Sequence, residues 1–326
     1  MRALVITKPG GPEVLAVEDR PKPNPTGDEL LVRVAAAGLN RADLLQREGH
    51  YPPPAGIAAD IPGLEFAGVV ESVGPEVRSL SAGRRVFGLV GGAAQAEYVI
   101  TREALAMSVP DSVDDISAGA VAEAYITAHD ALFAHGSLAA GERVLVHAVG
   151  SGVGIAALQL AKAAGCHVFG TSRSVEKLEK AKSLGLDVAI DPQEMAFDSV
   201  ARGVDVIIDF IGAPYFERNL AALAPKGRLV VVSTLGGTSA SLSLRTLMAK
   251  RVRIEGTVLR PRPYEEKAAA TRSFVRDVLP LLARGAIAVP VDRVFKLEEA
   301  AAAHRYLAEN RNFGKVVFAV ASMLEQ

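Results

Sequence analysis

From residue 143 to 233 the chain alternates apolar, β-branched runs with amphipathic stretches, and few folds accommodate that rhythm. RVLVHAV (143–149) leads into GIAALQLAKAAG, and CHVFGTS (166–172) leads into SVEKLEKAKSLG; DVAI, VDVIIDF and RLVVVS follow, separated by helical stretches. Strands with no polar alternation are buried on both faces, so helices must cover both sides of a parallel sheet. In the second helix Leu178, Ala181 and Leu184 share a face, Ser174 is placed to cap the start and Gly185 to end it. The fold class is α/β, with a doubly wound, Rossmann-type domain expected over 121–260.

The first strand-to-helix turn of such a sheet is where a dinucleotide's pyrophosphate meets free helix N–H groups and the positive end of the helix dipole. HAVGSGVG (147–154) occupies that turn, making Gly150, Ser151, Gly152, Val153 and Gly154 the candidate phosphate-facing residues. The spacing is not G-x-G-x-x-G. Aligned on Gly154, the other two glycines would fall on Val149 and Ser151, so Gly150 and Gly152 are expected to supply the flexibility instead. Ser151 either bonds a cofactor oxygen or is a small residue tolerated in the turn. NAD binders place an acid about 20 residues on, against the ribose 2′-hydroxyl. Here no acid occurs from Cys166 to Val175, while Ser172, Arg173 and Lys177 offer donors and positive charge to a 2′-phosphate. The expected cofactor is NADPH; the plainer reading is that Arg173 and Lys177 are solvated surface charges.

Residues 1–120 read differently. Short runs (ALVI, ELLVRVAA, FAGVVESV, RRVFGLV, AEYVI) alternate with Gly, Pro and Asp turns, which suits a compact barrel-like β domain. In the tail, a helix near 264–284, the strand PVDRVF, the helix LEEAAAAHRYLAEN and the strand KVVFAV suggest a hairpin-like return that completes the first domain's sheet from 261–326. With 36 basic and 37 acidic residues, no net field draws the chain to nucleic acid or anionic lipid. The longest uncharged run, Val144 to Ala161, is interrupted by three glycines, a histidine, a serine and a glutamine, so it reads as core and not membrane. A lone cysteine, Cys166, excludes an internal disulfide, reads as a core residue and fits a reducing compartment. With no signal-like N-terminus, a cytoplasmic protein is expected.

Several ordered motifs carry a resemblance. GLNRADLLQREGHYPPP (38–54), GLEFAG (63–68), AYITAHDAL (124–132), the SGVG turn, the Gly236–Gly237 pair and NFGKVVF (312–318) resemble the zinc-free, zeta-crystallin-like quinone oxidoreductases of the medium-chain dehydrogenase/reductase superfamily. The match spans the whole chain. It implies a GroES-like catalytic domain, split between the N-terminus and the tail, around the Rossmann domain. It implies a homodimer through the Rossmann edge strand, here RVRIEGTVL. It also places Thr127 near the nicotinamide, with Asn312 and Lys315 as further cofactor contacts. Thr127 and Lys315 have plain structural readings as well, a threonine in an alanine-rich helix and a charged strand-edge lysine. Gly236 and Gly237 would let backbone approach the nicotinamide or simply make a turn, and Leu259 follows the last Rossmann strand.

Zinc-dependent relatives carry a cysteine near the position of Asn40 and a histidine in a Gly-His-Glu motif, where this chain has Gly63-Leu64-Glu65. A catalytic zinc needs about three protein ligands and an open site, so no metal is expected. A quinone, or an alkene conjugated to a carbonyl, is electron-poor enough to take hydride with only hydrogen-bond help for the developing oxyanion. Tyr51, stiffened by three following prolines, is the first candidate donor, with packing under the loop as the bland alternative. Asn40 positions substrate or caps a helix. Asp43 and Arg47, spaced i, i+4, read as an ion pair, and His50 as a loop surface residue. Three functions stay open: an NADPH:quinone oxidoreductase, an NADPH-dependent enone or enoyl reductase, and an NADPH-binding protein with little turnover.

Overall fold

The structure is a computed structural model and describes residues 1–320. Along the chain, β1 (Arg2–Ile6) and β2 (Leu15–Asp19) form a small antiparallel pair. β3 (Glu29–Leu39) runs directly into α1 (Arg41–Arg47), and β4 (Glu65–Val73), β5 (Arg85–Leu89), β6 (Tyr98–Arg102) and β7 (Ala106–Ser108) follow. Two helices, α2 (Asp115–Ala118) and α3 (Ala122–His129), precede β8 (Arg143–Val146). Then come α4 (Gly152–Ala163), β9 (His167–Thr171), α5 (Val175–Ser183), β10 (Val188–Ile190), α6 (Phe197–Val200), β11 (Val204–Asp209), α7 (Ala213–Ala222), β12 (Leu223–Val231), α8 (Leu244–Lys250) and β13 (Arg253–Gly256). The chain ends with α9 (Tyr264–Asp277), α10 (Leu279–Ala283), β14 (Val291–Lys296), α11 (Ala300–Ala308) and β15 (Lys315–Ala319).

Two compact units result among the described residues: 1–126 with 260–320, and 127–259. The second unit is a six-stranded parallel sheet in the order β10-β9-β8-β11-β12-β13. Its central strands are apolar on both faces because both faces are covered: Val144, Leu145, Val146, Val206, Ile207 and Ile208 are fully buried. Ser174 caps α5 by accepting from the Lys177 N–H, and Gly185 follows the helix with φ 97°. Cys166 is buried and donates its S–H to the Ala139 carbonyl.

The first unit is built on a sheet in the order β14-β15-β3-β4-β5-β7, with β6 also paired to β3. In the tail, β15 runs antiparallel to β3. The expected hairpin-like return is not what forms. β14 and β15 are parallel and α11 carries the crossover between them, because a parallel pair needs a connection long enough to bring the chain back to the same end. The helical stretch 264–284 also divides at Val278, where Pro280 supplies no N–H to continue the ladder. Among the described residues, no helix is long and apolar enough to cross a membrane.

Candidate active site

The turn after β8 departs from its expected mechanics. Neither Gly150 nor Gly152 is left-handed; the residue with positive φ is Ala148, at 47°. The glycines supply space. A Cβ on Gly154 would stand 2.4 Å from the Ala148 carbonyl oxygen, and one on Gly150 would meet the aliphatic stem of Lys177 at 3.0 Å. Ser151 is the N-cap of α4, its hydroxyl accepting from the Gly154 N–H at 3.1 Å. Among the described residues the N–H groups of Gly152 and Val153 have no acceptor, so two donors and the helix dipole face outward from the turn.

Around this turn the second unit is tied by a buried polar chain. His147 bonds Thr171 Oγ1 through Nδ1 (3.0 Å) and Asn219 Oδ1 through Nε2 (2.7 Å), and Asn219 donates to Asp209 at 3.0 Å. Burial pushes His147 down to about 4, so the ring is neutral. The other Asp209 oxygen accepts from the N–H groups of Ile211 and Gly212. Gly212 in turn forms a bridge with Gly237, whose φ of 154° favours glycine. Gly236 and Gly237 are therefore fixed in a strand-end loop. Ser172 accepts from the Ser174 N–H at the end of β9, Arg173 is exposed and Lys177 is half-buried. Leu259 is buried, and the buried Thr127 Oγ1 has no partner. The unbonded N–H groups at the start of α4 and the space kept at Gly154 fit a dinucleotide's phosphates.

In the first unit the loop after α1 is organised by Arg260, which is 4% exposed. Its guanidinium donates to Gln46 Oε1 (2.6 Å), the Gly91 carbonyl (2.8 Å) and the Tyr51 carbonyl (3.0 Å), and lies 5.2 Å from the Tyr51 ring. Tyr51 is half-buried, desolvation raises its phenol, and among the described residues nothing hydrogen-bonds that hydroxyl. His50 is a surface residue, its side chain 73% exposed.

Asn40 occupies the N-cap position of α1, yet its side chain is spent elsewhere: Nδ2 donates to Glu65 Oε1 at 2.9 Å, and Oδ1 accepts from Lys315 Nζ at 2.5 Å. Lys315 also pairs with Glu65 at 2.6 Å, and both side chains are sealed from water. The strand-edge reading of Lys315 fails for that reason. Asn312, also buried, closes the turn before β15 by donating to the Gly314 carbonyl at 2.6 Å. Asp43 and Arg47 do not pair. Asp43 accepts from the N–H groups of Asn40 (2.8 Å) and Gly63 (2.9 Å), whereas Arg47 donates to the Gly10 carbonyl and Glu48 and touches His304 Nδ1 at 3.3 Å. Both are buried, and each is satisfied by groups other than its i, i+4 neighbour. Its carboxyl rises to about 6 through desolvation, held back by those two N–H groups.

Of the two positions that zinc-dependent relatives use for ligands, Asn40 bonds the Lys315 ammonium and Leu64 is a buried apolar side chain. A divalent cation placed among Asn40 and Glu65 would face Lys315 at contact distance, so these residues do not fit a zinc ion. Sequence reasoning missed Glu65 and Glu123 as cluster members. The available signal was a lone acid inside each apolar stretch, EFAGVV and AGAVAEAYITA, since such residues are rarely buried without a partner.

Comparison with known proteins defines the class. Residues 26–135 match the family model for the alcohol dehydrogenase GroES-like domain, and residues 152–274 the model named zinc-binding dehydrogenase. This pairing of a GroES-like unit with a Rossmann unit is that of the medium-chain dehydrogenase/reductase superfamily, an oxidoreductase class. The chain is 34% identical over 323 residues to the quinone oxidoreductase of Pseudomonas aeruginosa, covering 94% of this chain and 96% of that one. It is 33% identical over 324 residues, 97% of its length, to a phenolphthiocerol/phthiocerol polyketide synthase component of Mycobacterium tuberculosis, but spans only 15% of that protein's length. Among solved structures, a mycobacterial protein complexed with NADPH is 30% identical with a TM-score of 0.88, covering 98% of this chain and 100% of the other. The enoyl reductase CurK is 26% identical with a TM-score of 0.85, covering 98% and 99%. The chain belongs to the quinone oxidoreductase branch of the medium-chain dehydrogenase/reductase superfamily.

Proposed function

We propose that this protein is an NADPH-dependent quinone oxidoreductase that works without a metal ion. The observation that carries the reading is the buried Lys315 ammonium, bonded to Asn40, which stands near the cysteine position of zinc-dependent relatives, and to Glu65, next to Leu64 where those relatives carry their histidine. When bound, NADPH supplies the hydride. The chain's own residues do the rest. Gly152 and Val153 offer N–H groups to the pyrophosphate, Gly154 keeps that turn open, and Ser172, Arg173 and Lys177 receive the 2′-phosphate. Thr127, Gly236, Gly237, Leu259, Asn312 and Lys315 are the further cofactor-side candidates. Tyr51, held by its backbone to Arg260, presents a free phenol to the acceptor oxygen, and Asn40 holds the charged cluster in register behind it. The acceptor is already electron-poor, so orientation and hydrogen bonding lower the barrier without a Lewis acid.

The alternative is reduction of an enone or enoyl thioester, favoured by the likeness to an enoyl reductase and to part of a polyketide synthase. The deciding experiment follows oxidation of NADPH and NADH by metal-free protein with a panel of quinones, 2-enals and enoyl thioesters. The proposal expects NADPH bound at least tenfold tighter than NADH, and quinones reduced faster than enoyl substrates. Equal affinity for the two cofactors would remove the 2′-phosphate assignment, and binding without turnover would leave a nucleotide-binding protein. A cytoplasmic location and a homodimer paired along β13, the edge of the parallel sheet, belong to the same reading; sedimentation checks the dimer.

A further inference from the structure

An acceptor that takes a hydride must also take a proton, and that proton needs a store. The buried cluster of the first unit holds three carboxyl groups, Asp43, Glu65 and Glu123, with two buried cations, Lys315 and Arg260, and the half-buried Lys267 at its edge. Donors are shared unequally among the three. Asp43 accepts from the Asn40 N–H, the Gly63 N–H and, at 3.3 Å, the Gln95 amide. Glu65 accepts from Lys315 and the Asn40 amide on one oxygen and from the Glu123 N–H, at 2.8 Å, on the other. Among the described residues no donor reaches the Glu123 carboxyl. A carboxylate without donors, beside the negative charge of Glu65, is the most expensive of the three to keep ionised. Of the three, Glu123 is therefore the carboxyl that holds a proton. Asp43 and Glu65 are sealed, at 0% exposure, whereas Glu123 is partly open.

Resting on the quinone oxidoreductase reading, we propose that Glu123 is the proton donor to the reduced acceptor. The quinone gains two electrons and one hydrogen as hydride, giving a hydroquinone monoanion. The Glu123 O–H bond then breaks, a new O–H bond forms on the acceptor's charged oxygen, and Glu123, left as carboxylate, regains a proton from water at its open side. The groups facing Glu123 are Glu65 on β4, Lys315 on β15, Asp43 on α1, Arg260, Tyr51 in the loop after α1, and Lys267 on α9. Desolvation and the two carboxylates favour the neutral acid while the cations oppose it, and the balance pushes Glu123 up to about 8. Two buried polar atoms lack partners nearby in the chain: Gln95 Oε1, on the residue that donates to Asp43, and Thr127 Oγ1, one helical turn beyond Glu123 on α3.

The test has two arms. In the cofactor-free protein, carbon-13 NMR of labelled glutamate side chains should show one carboxyl titrating near pH 8, absent in Glu123→Gln. In single-turnover reduction of a quinone by NADPH, the wild-type rate should fall tenfold per pH unit above 8. Glu123→Gln should be slower at pH 7 by about a hundredfold, the low end for a general acid, and lose that alkaline limb while binding NADPH normally. Glu123→Asp, the variant to use should the glutamine form fail to fold, should retain part of the rate with the limb displaced. A Glu123 that titrates as an ordinary carboxylate overturns the proposal, as does a Glu123→Gln enzyme within about twofold of wild type with the same pH profile. A wild type that reduces no quinone overturns the functional reading instead, and the NMR arm still decides where the proton sits.

Discussion

Lys315 and Glu65, 250 residues apart in sequence, form a 2.6 Å ion pair with neither side chain more than 5% exposed. The pair fastens β15 to β4 across β3, and Asn40 at the end of β3 bonds both members. Removing one partner strands the other as a buried charge, which costs about 3–5 kcal/mol. Lys315→Met should therefore lower stability by that amount in denaturant unfolding. Lys315→Met combined with Glu65→Leu should recover a large part of it, because no unpaired charge remains. Equal losses for the single and double variants would show that the pair's attraction, and not the stranded charge, dominates.

Four buried groups with large shifts dominate how stability varies with pH, and the buried Asp209 carboxyl, also raised by desolvation, adds in the same sense as Asp43. Asp43 and Glu123 are raised to about 6 and about 8, so the folded state holds more protons than the unfolded chain above the usual carboxylate range, and stability falls as pH rises through those windows. His147 and His304, lowered to about 4 and about 3 by burial, are kept neutral, and stability rises with pH until the unfolded histidines lose their protons near 6.5. Between pH 4.5 and 6 the two carboxyls and two imidazoles oppose one another, and the curve should be flat. From 6.5 to 8 Glu123 is the one of these four that still titrates, at about 1.4 kcal/mol per pH unit, for a decline of about 2 kcal/mol. Urea unfolding at fixed pH values should trace this profile, and Glu123→Gln should flatten the upper limb.

The turn at HAVGSGVG yields a ranked pair of substitutions. In Gly154→Ala the new methyl group would meet the Ala148 carbonyl oxygen at 2.4 Å, and Ala148 is already held at positive φ, so the backbone must move. In Gly150→Ala the neighbours at 3.0 Å are Cβ and Cδ of Lys177, whose flexible stem can turn aside. Gly154→Ala should cost about 1–3 kcal/mol as an overpacked site and weaken NADPH at least tenfold by calorimetry. Gly150→Ala should do less on both counts, and the reverse order would refute the division of labour between the two glycines.

The parallel sheet was legible because strands buried on both faces are written as unbroken apolar runs, and β8, β9, β11 and β12 lie on the runs that announce them. Strand direction is less local. The hairpin-like return misread β14 and β15, although a nine-residue helix between them is itself a sign of a parallel crossover. Glycine spacing located the phosphate turn and expected flexibility at Gly150 and Gly152 but not what each glycine does there, since a close approach and a positive φ both select glycine and only coordinates separate them. At the polar cluster, pattern failed for a different reason. The i, i+4 rule for Asp43 and Arg47 describes exposed helix faces; on α1 both residues are buried and bond backbone groups of other segments. Burial of Lys315 depends on a strand pairing across the whole chain, which no local window contains.

Arg260 and Tyr51 supply the last prediction. The guanidinium reaches three acceptors on separate segments, Gln46 Oε1, the Gly91 carbonyl and the Tyr51 carbonyl, and only a planar fork with several N–H groups can serve all three. Lysine would keep the charge and lose the geometry. Arg260→Lys should therefore lower kcat/KM for quinones at least tenfold, a loss of about 1.4 kcal/mol of transition-state stabilisation, while NADPH affinity stays within about twofold of wild type. Tyr51→Phe keeps the backbone carbonyl that Arg260 holds and deletes only the hydroxyl. If Arg260 acts by holding the Tyr51 phenol in place, adding Arg260→Lys to Tyr51→Phe should cost little more than Tyr51→Phe alone. Additive losses in that double-mutant cycle would mean that Arg260 acts on the acceptor independently of Tyr51.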